Sequence, residues 1–176
     1  MQTRLLTILG TAAVALAAAT VAFGATLNPS AVITGAAGIS LNLPSNPSIS
    51  TTLDGTDQVA SWSALLGIVD ARGSGAGWNL TVSETTFSDG SGHTLAPGTL
   101  MGVSSACRAG NSCTAATNSV TYPITLSGTA AKFFNSAANT GLGKIDVTPT
   151  VDVAIPGNAY AGTYTSTVTL AAVSGP

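Results

Sequence analysis

Asp70, Arg72, Trp78 and Leu80 crowd around a glycine run, Asp70-Ala71-Arg72-Gly73-Ser74-Gly75-Ala76-Gly77-Trp78-Asn79-Leu80, and are the first candidates for ligand binding. Residues two apart in an extended chain share a face, so Asp70 and Arg72 can form an ion pair, or the carboxylate can bond loop amides. The Trp78 ring either enters a core or keeps one face open as a platform for sugar C–H groups. Leu80 lies on the same strand face as Trp78. The glycines have the composition of a phosphate loop, but they lead into a strand, and the helix N-terminus that would hold a phosphate is missing.

The other chemical groups are scattered. His93, the one histidine, sits in a Gly/Ser-rich stretch with no Gly-x-Ser-x-Gly motif, and reads as an exposed loop residue. Glu84 and Asp89 flank a turn and do not converge. Asp146 and Asp152 share one expected strand and stand roughly 20 Å apart, too far for two carboxylates to act on one bond. Asp54-Gly55-Thr56-Asp57 offers too few oxygens for calcium and reads as a turn. Cys107 and Cys113, the only cysteines, read as a disulfide closing a short loop. A zinc set would need a second cysteine pair or more histidine. No catalytic residue, metal or cofactor is therefore expected.

Strands must position these groups. Ile39-Ser40-Leu41-Asn42-Leu43 alternates and stops at Pro44. Val59 to Val69 reads as one strand, paired as a hairpin with Trp78–Ser83 across the glycine loop. A long polar connection comes next, carrying Pro97-Gly98 and the cysteine loop, and reads as a surface excursion. Val120 to Leu126 alternates, with Pro123 suiting an edge; Lys132-Phe133-Phe134 is a short apolar piece. Ile145, Val147, Pro149, Val151, Val153 and Ile155 line one face of a long strand, and Tyr164, Ser166, Val168 and Leu170 line a face of the last. These two are expected to form a hairpin. Short alternating strands without a strong amphipathic helix predict an all-β fold, an antiparallel β-sandwich that is Ig-like in general architecture.

Composition narrows the class. Residues 1–24 read as a signal peptide: Arg4 precedes an apolar run from Leu5 to Phe23, and Ala22-Phe23-Gly24 fits a cleavage site. Residues 25–176 then form a single secreted domain, with no membrane span in the mature protein. That domain carries Arg72, Arg108, Lys132 and Lys144 against seven acidic residues, a sparse charge that argues against nucleic acid.

The block Asp70-x-Arg72-Gly73-x-Gly75-x-Gly77-Trp78-x-Leu80-Thr81-Val82-Ser83 resembles the central block of the WxL-type domains found on the surface of Gram-positive bacteria. Val151–Pro156 and Tyr160–Thr169 are similar to that family's last strands, and the resemblance covers Ile39 to Pro176. It implies a secreted, non-enzymatic, extracellular and wall-associated protein. Its partners would be a cell wall polymer (peptidoglycan or associated glycan), held without a covalent bond, or other surface proteins. The family is named for two Trp-x-Leu motifs, both implicated in attachment. Trp78-Asn79-Leu80 is intact, and the place of the second reads Leu170-Ala171-Ala172. Leu43-Pro44-Ser45-Asn46 fails the Leu-Pro-x-Thr-Gly sorting signal. The alternative is a structural subunit or adhesin of a surface layer or fibre, assembled by β-strand contacts.

Overall fold

Period-two alternation of apolar side chains dominates the chain, and its longest run, Ile145 to Ile155, lies within a single strand. The computed structural model describes residues 29–176; the expected signal peptide, residues 1–24, lies outside the described residues. All strands fall within the unit Ile33–Pro176. They are β1 (Ile39–Asn42), β2 (Gln58–Ser63), β3 (Leu66–Asp70), β4 (Trp78–Glu84), β5 (Phe87–Ser88), β6 (Thr94–Leu95), β7 (Thr99–Cys107), β8 (Ile124–Thr125), β9 (Ala131–Ser136), β10 (Gly143–Ile155) and β11 (Val168–Ser174). Among the described residues there is no helix, and so none long and apolar enough to cross a membrane.

β10 organises the larger sheet. One of its edges is shared: Gly143–Val147 pairs with β3, and Thr150–Ile155 pairs with β2. The other edge carries β7, and the order runs β1-β3-β10-β7-β8. A second sheet, β11-β4-β9, is antiparallel throughout, and β5 and β6 form a small hairpin. Trp78, Leu80, Val82, Phe133 and Phe134 of the second sheet share one buried cluster with Leu66, Ile68, Ile145, Val147 and Val151 of the first. The molecule is thus an all-β sandwich of antiparallel sheets.

Edge competition corrects the expected hairpins. Val59–Val69 is two strands, interrupted at Ala64-Leu65, and both reach β10. β3 is flanked by β1 and β10 and has no edge left for β4, so the glycine loop carries the chain from one sheet to the other. For the same reason β10 does not pair with the last strand. Its edges hold β2, β3 and β7, and β11 instead takes an edge of β4. The last strand begins at Val168; the chain ahead of it runs beside β5 through the Ser88–Thr165 bridge.

Two further expectations change. Within the predicted polar excursion, Thr99–Cys107 is a nine-residue strand whose buried Leu100 helps cover β10. The predicted strand Val120–Leu126 shortens to β8, which lies at the sheet's edge beside Thr99 and Leu100.

Candidate functional site

Arg72 lies where the two sheets meet at one end. Its Nε donates to Asp70 Oδ1 and its Nη2 to Asp70 Oδ2, both at 2.9 Å, a bidentate pair. The Arg72 amide also donates to Asp70 Oδ1 at 3.1 Å, closing the turn after β3. Nη2 reaches the Gly77 carbonyl at 2.7 Å, just ahead of β4, and Nη1 donates to Ser174 Oγ at the end of β11. The Asp70 side chain is 0% exposed and that of Arg72 10%. The guanidinium bonds hold the Asp70 carboxyl below its ordinary value against the opposing effect of burial. The ion pair expected from spacing is therefore present, and it fastens the glycine loop.

Trp78 and Leu80 are buried, at 0% and 1% exposure, so neither offers a surface to a ligand in this arrangement. The Trp78 ring packs on Phe134, with centroids 5.6 Å apart, and its Nε1 donates to the Gly141 carbonyl at 2.9 Å. The open-faced sugar platform that sequence left possible for Trp78 is corrected here: the ring faces the core between the sheets. Leu170-Ala171-Ala172, at the place of the second motif, lies directly across from Val82-Thr81-Leu80 in the β11–β4 register.

Cys107 and Cys113 form a disulfide with a Cα separation of 5.7 Å. Cys107 ends β7 and Cys113 bridges to Gly143 at the start of β10. Beyond it, the Thr114 amide donates to Leu142 O, and the Gly141 amide to Ala115 O. The covalent loop thus abuts the segment that accepts the Trp78 indole.

A different constellation lies at the opposite end of β10. A cleft of about 650 Å³ has Phe87, Leu95, Val153 and Ile155 among its lining, and its walls are 49–53 and 159–164. Among the described residues, none that line it is charged. Tyr160 is 65% exposed and stacks on His93, with ring centroids 3.9 Å apart and planes 16° from parallel. His93 Nδ1 lies 2.5 Å from Asp89 Oδ2, and the Asp89 carboxyl, held chiefly by this bond, falls below its ordinary value. His93 therefore lies in a loop, as expected, but is half-buried and held by partners where an exposed residue was expected.

An adjoining cleft of about 570 Å³ shares Ile49, Phe87, Thr163 and Tyr164 and adds Glu84. Glu84 is buried, and its carboxylate accepts from the Gly98 amide at 2.6 Å and from Ser166 Oγ at 3.0 Å. Sequence reasoning weighed Glu84, Asp89 and His93 singly and missed the cleft at this end of the molecule. The available signal was Tyr160 and Tyr164 spaced around Ala161-Gly162-Thr163, in a segment read as strand.

Other acidic groups have local partners. Asp54 accepts from the Thr56 amide and hydroxyl, which lower its carboxyl to about 2, in the turn expected there. Asp146 pairs with Arg108 at 2.7 Å, and Asp152 accepts from Ser61 at 2.6 Å. Among the described residues, no three His, Cys, Asp or Glu side chains gather to hold a metal.

No curated protein and no solved structure matches the chain. A family model described as WxL domain, surface cell wall-binding, matches residues 39–172. That span runs from the start of β1 into β11 and contains the Arg72 clamp, the buried Trp78-Asn79-Leu80 and the strand lying across from it. The chain belongs to the WxL family of surface cell wall-binding domains.

Proposed function

We propose that this chain is an exported, non-catalytic domain that associates non-covalently with peptidoglycan or a glycan attached to it. Residues 1–24 direct export, and residues 25–176 form the mature domain. The observation that carries this reading is the family match over 39–172, with the Asp70, Arg72, Trp78 and Leu80 block intact inside it. Those four residues serve attachment as its frame: they set the spacing of the two sheets and so the shape of the surface that meets the polymer. Trp78 acts from the core, since its ring is fully buried.

The purified protein is expected to sediment with Gram-positive wall preparations and to show no turnover of peptidoglycan, ester or peptide substrates. Retention in the supernatant overturns wall association. A second reading, assembly with other surface proteins through strand contacts, draws support from one edge. Among the described residues β2 pairs only with β10, and Val59 on it and Leu65 just after it are 64% and 56% exposed. Self-association that disappears in Val59→Lys, measured by sedimentation velocity, would favour that second reading.

A further inference from the structure

We propose that the cleft between 49–53 and 159–164 is the polymer-binding subsite, and that it takes a neutral saccharide segment stacked on Tyr160. This rests on the wall-association reading and adds to it the place and the ligand class. Its volume, about 650 Å³, suits a few sugar rings, and falls within the range of small-ligand sites.

Charge excludes the polyanionic polymers from this cleft. Arg72, Arg108, Lys132 and Lys144 all lie outside its lining, so a phosphate-rich chain finds no counterion there. Ser50, Thr51, Thr52 and Thr163 line the cleft together with apolar residues. That mixture matches a sugar ring, which presents hydroxyls at its rim and C–H groups on its faces.

Tyr160 supplies the stacking surface. An aromatic ring attracts the polarised C–H bonds of a sugar face to its own electron-rich face. One face of Tyr160 stacks on His93, and the residue is 65% exposed and lines the cleft. The ring is also held before any ligand arrives. Asp89 fixes His93 behind it, Tyr164 Oη donates to the Tyr160 carbonyl at 3.0 Å, and Ser88 and Thr165 exchange backbone hydrogen bonds at 2.9 and 3.0 Å. Fixing an exposed aromatic in advance lowers the ordering cost of binding.

The test uses the purified protein with a soluble N-acetylglucosamine tetramer, read by calorimetry, and in parallel with purified walls, read by co-sedimentation. Tyr160→Ala should weaken tetramer binding at least tenfold and reduce sedimentation, with only a small shift in thermal unfolding, because the residue is mostly exposed and gives up only its stacking on His93. Tyr160→Phe, which keeps the ring face, should bind as the unaltered protein does. Met101→Ala, exposed on β7 and outside the cleft, should leave both readouts unchanged. Absence of tetramer binding, or equal binding by Tyr160→Ala, overturns the cleft proposal even where walls still bring the protein down. Tyr160-dependent tetramer binding without sedimentation supports the cleft and overturns wall association. Tyr160-dependent capture of an uncharged extended peptide, with no tetramer binding, overturns the ligand class.

Discussion

At the scale of single residues, Trp78 is a motif side chain held wholly within the core. Its indole N–H is buried and would be costly left unpaired; the Gly141 carbonyl satisfies it. Gly141 can do so only because it has no Cβ. Its φ is +67°, and a Cβ there would overlap Ser136 Oγ and lie 2.7 Å from Trp78 Nε1. Gly110 has a similar φ, +74°, with open space around it. Gly110→Ala should therefore show the conformational strain alone, about 1–2 kcal/mol. Gly141→Ala adds overpacking and should cost about 2–4 kcal/mol in urea denaturation. Equal losses in the two variants would mean that the contact with Trp78 carries no stability.

At the scale of elements, the disulfide staples a loop that props the Trp78 acceptor. Chain-entropy reasoning for so short a loop gives about 2 kcal/mol of stabilisation. Cys107→Ser with Cys113→Ser should lower stability by about that amount. Faster amide exchange is expected at Thr114 and Gly141, whose amides pair across the two segments, while β4 and β10 stay protected. Loss of protection across both sheets would show that the disulfide holds the fold and not only the loop. Alternation made β4 and β10 readable, though the alternating Val120–Leu126 is strand only at Ile124–Thr125, and the cysteine pair was readable from composition. Partners were not, because each strand edge accepts one neighbour and the assignment depends on the whole set. β3 looks like a hairpin partner of β4, and β10 of β11, until their edges are counted. That Tyr160, Tyr164 and His93 come together was not legible, because a cleft built from 49–53 and 159–164 has no periodicity to announce it.

At the scale of the whole molecule, Arg72 is, among the described residues, the cation that joins the sheets, bonding Asp70 at the end of β3, the Gly77 carbonyl before β4 and Ser174 on β11. A charge this buried is tolerable only while its carboxylate partner is ionised, so the clamp makes stability depend on pH. The Asp70 carboxyl is held below its ordinary value of 3.8. The unfolded chain therefore takes up this proton more readily than the folded one. The stabilisation is fully present above pH about 4 and is lost as pH falls through the depressed folded-state value. Asp70→Asn keeps the shape but removes the charge, leaving Arg72 without its anion, and should cost about 3 kcal/mol at pH 7. The same comparison near pH 2 should show a smaller gap, because below the ordinary value the unfolded chain takes up the Asp70 proton and the unaltered protein loses part of the stabilisation that the variant never had. Urea titrations of both proteins at the two pH values measure this directly. A gap that stays constant from pH 7 to pH 2 would place the stabilisation in packing around the loop, and the two sheets would be held together by their shared core alone.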